Sequence, residues 1–245
     1  MYLHQRGITL PNLNYDNILV VKEKSMFKAK ISSIEAAIHG THRRKEIDMH
    51  KVGLIFYHIL AGELPKDQIH FNIYILNENC LNVEEARHLL TLLVHPSPSR
   101  RLRAEEALNH PFFWGDEKSL LFIRYASEIV EKEKDSIVTK RLNRAGASVL
   151  SDGERWFDMV DDRITQMSAK RRKRDYENEM SGLLRMYHNV ISHHLEYPST
   201  SGHLSPKELR SYVARVPKFF IVLYAVFKGL EDTLLKKYPV LRNYL

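Results

Sequence analysis

Leu108-Asn109-His110-Pro111-Phe112-Phe113-Trp114-Gly115 is the stretch at which this 245-residue chain changes character. Just before it, Ala104 to Leu108 reads as a short helix. The helix stops at His110-Pro111, because proline lacks an N–H and disfavours helical geometry in the residue before it. Upstream, short strands alternate with helices. Downstream, the pattern is helical throughout. Trp114-Gly115 is the natural joint, and no Gly- or Ser-rich linker follows it, so the two halves are expected to pack rigidly together.

Working back from the joint, Val83 to Val94 is an amphipathic run closed by Pro96 and Pro98. Val52, Ile55, Phe56, Ile59 and Leu60 recur at helical spacing from about Lys45, and Gly62 marks the stop. Residues 17–21 and 27–31 are short β-type runs joined by a polar turn at 22–25, which predicts a hairpin. Working forward, candidate helices span 117–134, 136–144, 154–168, 177–192, 206–213 and 218–236. Ser205-Pro206-Lys207-Glu208 carries a helix start: a capping serine, proline at the first helical position and the glutamate of a capping box. The segment 196–203 contains Pro198, Ser199, Thr200, Ser201 and Gly202 and reads as an exposed loop.

Composition narrows the class. With 44% hydrophobic residues the chain can bury a real core. The single cysteine, Cys80, excludes an internal disulfide and a Cys-rich zinc site. No apolar run reaches the ~20 residues a membrane helix needs, and Met1-Tyr2-Leu3-His4 has no signal-peptide pattern. The net charge is +7, and the only dense basic block is Lys170-Arg171-Arg172-Lys173-Arg174. Such a block is a solvated surface, a localisation signal or a contact for nucleic acid.

Tyr187-His188-Asn189-Val190-Ile191-Ser192-His193-His194 follows that block. Asn189 and His193 are four residues apart and share a face of a helix. An imidazole that moves protons near neutral pH, a carboxamide and nearby cations suit phosphodiester chemistry. The bland reading is a helix ending in histidines that complement its dipole, and His194 fits that reading best. Trp156, Phe157, Phe219, Phe220, Tyr224 and Phe227 fall at helical spacings and are most simply core. Tyr176 could equally pack its ring at a helix start.

An ordered set of motifs carries a family resemblance. Tyr2-Leu3-His4, the run Ile8 to Val20, the pair Asp48 and Gly53, and Arg101 through His110-Pro111-Phe112-Phe113-Trp114 resemble the C-terminal lobe of a protein kinase. That ending, running on into a helical module, resembles ribonuclease L and the unfolded-protein-response sensor kinase/endoribonucleases. The short spacing between Ser33-Ile34-Glu35 and Asp48 is similar to the contracted segment of ribonuclease L. The resemblance implies a mainly α fold: a partial kinase-like C-lobe at 1–114, helical with a short β-hairpin, packed on an all-helical KEN-type ribonuclease domain at 115–245.

It also implies a silent kinase. The catalytic aspartate position is Asn12 and the loop lysine position is Asn14. Asn17 matches the metal-binding asparagine, and Ser33 stands where the metal-binding aspartate belongs. Neither the Gly-rich phosphate loop nor the Val-Ala-Ile-Lys strand is present, so the ATP/ADP and Mg of complete family members are not expected, nor any other cofactor or metal. The chain looks like a fragment or truncated relative, with an apolar surface exposed where the N-lobe would sit.

For the second half the resemblance implies metal-independent RNA cleavage by 2′-hydroxyl attack, leaving a 2′,3′-cyclic phosphate. His193 maps to the family histidine and Asn189 to its asparagine. Tyr176 maps to a phosphate-binding tyrosine, with Asp175 the competing position. The departure is His188, where the family has arginine. A neutral histidine lacks the permanent charge and planar fork of a guanidinium. Arg185, one helical turn earlier, is close enough to be a substitute, and Arg185 and the 170–174 block are the candidate contacts for RNA. Expected partners are RNA and a second copy or full-length relative that forms a dimer, with no membrane contact from this chain. The expected location is cytoplasmic, or the cytosolic face of the endoplasmic reticulum if further segments tether it. The competing reading is a double pseudoenzyme scaffold, which His188 favours; the Asn189/His193 pair favours the enzyme.

Overall fold

The computed structural model describes residues 1–32, 34, 37–62, 82–133, 136–150, 155–160, 162, 164, 176–193 and 204–245. Among the described residues the fold is mainly α, with two small two-stranded sheets. The chain divides into two compact units, Met1–Phe112 and Phe113–Leu245. Ser33, Glu35, Asp175, the 170–174 block and His194 lie outside the described residues.

In the first unit, β2 (Ile18–Glu23) and β3 (Met26–Ile31) pair antiparallel in the register Ile18↔Ile31 to Glu23↔Met26. The hairpin closes more tightly than the 22–25 turn read from sequence. Lys24 takes a left-handed φ of 57°, which lets Lys22 and Glu23 join the ladder. Glu23 then faces Lys28 at 2.6 Å and Lys30 at 3.0 Å, cations that hold its carboxyl below the usual range. The other sheet joins β1 (Ile8–Thr9) to β4 (Ile38–His39).

Helices α1 (Tyr2–Gln5) and α2 (His42–Ala61) are tied together by buried Asp48. Its carboxylate accepts from the Leu10 N–H at 2.9 Å and meets His4 Nε2 at 3.0 Å. Gly62 ends α2 in the left-handed conformation (φ 73°) that glycine adopts without a Cβ clash. Helix α3 (Val83–Leu93) packs on α2, burying Leu89, Leu90 and Leu93 beside Met49 and Tyr57. Phe112 closes this core edge-on against Phe56, ring centroids 5.0 Å apart. The short α4 (Ala104–Leu108) starts with Glu106 reaching back to the Arg103 N–H at 2.7 Å.

The second unit is built from α5 (Asp116–Lys132), α6 (Ile137–Gly146), α7 (Trp156–Met159), α8 (Met180–His193), α9 (Pro206–Val213), α10 (Phe219–Lys228) and α11 (Glu231–Lys237). Helix α5 packs on α8 and α9, and α6 packs on α8 and α10. Trp114, Phe122, Phe220, Tyr224 and Tyr244 cluster at one end of this core, mostly edge to face as ring quadrupoles prefer.

Two helices differ from the sequence expectation. The 218–236 run divides at Gly229-Leu230, and Lys218, in a left-handed conformation, precedes α10 rather than starting it. The 154–168 run breaks at Val160, which is extended. Among the described residues no helix is long and apolar enough to cross a membrane.

Candidate active site

Helix α8 presents two faces because its apolar residues recur every three or four positions. Met180, Leu183, Leu184, Met186, Tyr187, Val190 and Ile191 are buried in the core. Arg185, His188, Asn189, Ser192 and His193 form a half-buried polar stripe on the opposite side. Tyr187 anchors the helix from within: its hydroxyl donates to the Tyr212 carbonyl at 3.2 Å, and burial pushes its pKa well above the ordinary phenol value.

The Asn189 side-chain amide donates to the Tyr176 hydroxyl at 2.7 Å. Tyr176 lies outside any helix, so its position has to be built by other contacts. Trp156, wholly buried, donates its indole Nε1–H to the Glu177 carbonyl at 3.0 Å. Its backbone N–H donates to Asn178 Oδ1 at 3.1 Å. The Trp156 ring meets the Tyr176 ring edge-on, centroids 6.0 Å apart. Gly182 on α8 lets this segment approach, since a Cβ there would stand 2.2 Å from the Glu177 carbonyl oxygen. Asn143 of α6 adds a brace by accepting from the Ser181 N–H at 3.0 Å and donating to Glu179.

The remaining stripe residues sit as follows. His193 is four residues beyond Asn189 at the last position of α8, half-buried. The Nδ1 of His188, the Oγ of Ser192 and the Nε of Arg124 on α5 are buried without a hydrogen-bond partner among the described residues. Arg185 does not stand ready as a lone cation: its Nε pairs with Glu131 of α5 at 3.0 Å. Both line an open cleft of roughly 500 Å³ with Asn143, Tyr176, Glu179 and Ser181. Among the described residues no three His, Cys, Asp or Glu side chains form a metal-binding group.

In the first unit the kinase-like positions are engaged with one another. The Asn17 side-chain amide donates to the Asn12 carbonyl at 2.6 Å, and the Asn17 N–H donates to Asn14 Oδ1 at 3.0 Å. Asn12 and Asn14 are exposed.

Sequence reasoning reached Tyr176, Asn189 and His193 but not their supports. Trp156 read as plain core, and Gly182 and Asn143 carried no signal. The one available clue was a glycine inside a strongly amphipathic helix, which marks close approach by another backbone.

The family model described as Ribonuclease 2-5A matches residues 119–244, more than half of the chain. The chain belongs to this family. A serine/threonine-protein kinase/endoribonuclease IRE1 of Oryza sativa subsp. japonica is 27% identical over 92% of this chain and 29% of its own length. The Caenorhabditis elegans serine/threonine-protein kinase/endoribonuclease ire-1 is 29% identical over 80% of this chain and 23% of its own length. An Arabidopsis thaliana relative named as an inactive serine/threonine-protein kinase/endoribonuclease IRE1-like is 24% identical over 89% of this chain and 47% of its own length. The chain thus spans less than half of each of these relatives. The match covers the helical second unit, and the alignments to kinase/endoribonucleases extend into the first.

Proposed function

We propose that this chain is a metal-independent endoribonuclease, with its kinase-like lobe serving as a dimerisation platform rather than a phosphoryl-transfer site. The observation that carries the reading is the Asn189–Tyr176 hydrogen bond with His193 one turn further along α8. A hydroxyl that accepts from a carboxamide retains a proton of its own to donate, and a phosphate oxygen is its natural acceptor. Asn189 holds that hydroxyl in place. His193 moves the proton: as a base it takes the 2′-hydroxyl proton, and as an acid it protonates the departing 5′-oxygen. Attack of the 2′-oxygen on phosphorus forms the new P–O bond, breaks the bond to the 5′-oxygen and leaves a 2′,3′-cyclic phosphate.

The kinase-like lobe lacks an acid at Asn12 that could accept a substrate proton, and Asn17 is spent on the loop itself. The relatives are named as endoribonucleases, and this chain shares with them the unit that bears the site. The test is cleavage of a fluorescent stem-loop RNA in EDTA from pH 5.5 to 8, by the protein and by His193→Ala. Cyclic-phosphate products that vanish in the variant are expected. No cleavage at any pH by folded, dimeric protein would sink the reading.

A second reading, an impaired scaffold that binds RNA or a longer relative, draws on His188. Its Nδ1 is buried without a hydrogen-bond partner among the described residues, and an imidazole lacks the planar donor fork of a guanidinium. One of the relatives is named as inactive. His188→Arg decides between them: cleavage that rises by roughly 10²-fold, the worth of one oxyanion contact, marks a working site short of one cation. Unchanged silence marks a scaffold.

A further inference from the structure

We infer that Phe157 is a stacking platform for an unpaired nucleobase beside the scissile phosphate, an inference that rests on the ribonuclease reading for the identity of the ligand. Phe122, Phe219 and Phe227 of this unit are wholly buried, whereas Phe157 is only half-buried; Phe113, more exposed still, opens the unit, and it is the Phe157 ring that adjoins Tyr176. Its ring lies parallel to the indole of Trp156, centroids 3.8 Å apart and planes 19° apart. One face is thus covered by a side chain that two hydrogen bonds hold still, through Glu177 and Asn178. The exposed Arg155 guanidinium stands 5.8 Å from the Phe157 centroid. A flat ring with an exposed guanidinium over it is the pair of surfaces between which splayed RNA bases stack.

Position ties this platform to the chemistry. The Phe157 ring is 6.3 Å from that of Tyr176, whose hydroxyl holds Asn189. One side chain therefore separates the platform from the phosphate-handling pair, a span that a single nucleotide covers. In-line attack by a 2′-hydroxyl requires the flanking base to leave its helical stack, and a fixed aromatic surface offsets that loss. Stacking uses the π-face common to all bases, so the platform selects unpaired loops over duplex and discriminates weakly among bases. The ligand class is single-stranded RNA with one extruded base.

The test uses a stem-loop RNA methylated at every loop 2′-hydroxyl, which cannot be cleaved, with an abasic residue scanned through the loop. For the wild-type chain one loop position is expected at which losing the base weakens binding by about tenfold. Phe157→Leu should bind the intact RNA about tenfold more weakly and lose the penalty at that position, and Phe157→Tyr should keep both. The abasic scan needs no variant, so a misfolded Phe157→Leu does not blunt the test. No base-dependent position, or the same penalty in Phe157→Leu as in the wild type, overturns the platform. Binding is read on uncleavable RNA: base-dependent binding without cleavage of natural RNA leaves the platform and sinks the ribonuclease, and base-independent binding with cleavage does the reverse.

Discussion

At the residue scale the candidate site depends on one hydroxyl. Tyr176→Phe keeps the ring against Trp156 and Phe157 and removes only the oxygen that meets Asn189. The Asn189 amide then loses a partner and the phosphate loses a donor. Loss of a transition-state donor typically costs on the order of 10²–10³ in rate. We expect cleavage by Tyr176→Phe to fall by about 10²-fold in kcat, with an unchanged thermal midpoint. A fall confined to KM would assign the hydroxyl to RNA binding rather than to the reacting phosphate. Nothing in the sequence spacing joins Tyr176 to Asn189. They are thirteen residues apart with a helix start between them, and the contact exists because Trp156, twenty positions upstream, holds the Glu177 carbonyl and the Asn178 side chain. The sequence resemblance pointed to Tyr176; the physics that places it lies in a residue that reads as core.

At the scale of elements, local chemistry was legible where it is self-contained. The Ser205/Glu208 box forms as its spacing requires, with Glu208 accepting from the Ser205 N–H at 2.7 Å and Gly62 closing α2. Breaks inside apolar runs were not legible. Phe219–Phe227 has helical composition to its end, and only the packing of α11 shows that Gly229-Leu230 turns the chain. Gly182 shows how an element and the site are coupled. A methyl group there meets the Glu177 carbonyl oxygen, so Gly182→Ala must move α8 away from the Tyr176 segment. Overpacking of this kind costs about 1–3 kcal/mol. Urea unfolding should register that loss, and cleavage should drop further than stability, because the displaced segment carries Tyr176. A variant as active as wild type would show that Tyr176 need not be held at this position.

Acid sensitivity belongs to the packing of α3 against the His110 turn. His88 Nδ1 and His110 Nε2 are 2.8 Å apart, and His110 Nδ1 accepts from the Phe112 N–H at 3.2 Å. Nδ1 of His110 therefore carries a lone pair, and its proton sits on Nε2, donated to His88. Burial, then the neighbouring His88, pushes the His110 pKa from 6.5 down to about 3, and burial lowers that of His88. A base with a depressed folded pKa binds more protons when unfolded, so its contribution is complete above pH 6.5 and is lost as pH falls toward 3. We expect the urea midpoint of the first unit to fall between pH 7 and 4.5, and to fall less in His110→Asn, which keeps an acceptor for Phe112. Parallel pH slopes in the two proteins would show that His110 contributes nothing to the acid loss.

At the scale of the whole molecule, the proposed ribonuclease needs charge to hold its RNA. The net +7 is modest, and its densest part is the Lys170–Arg174 block, one residue short of Tyr176 in the chain. Glu131, Glu177 and Glu179 line the cleft beside Tyr176, with Arg185 already paired, so that cleft does not attract a polyanion by itself. On the proposed function, the block is the candidate source of long-range attraction. Replacing its five cations with glutamine lowers the net charge to +2, because 32 Lys and Arg remain against 30 acids. Each phosphate contact on a single strand contributes about 0.7 to the slope of log K against log salt. If all five cations engage the RNA, the slope should flatten by about 3.5. Binding at low salt should weaken by orders of magnitude, and base dependence at the Phe157 platform should persist, since stacking is not screened. An unchanged slope would assign the block to solvated surface or to localisation, and would leave RNA capture to cations dispersed over the rest of the chain.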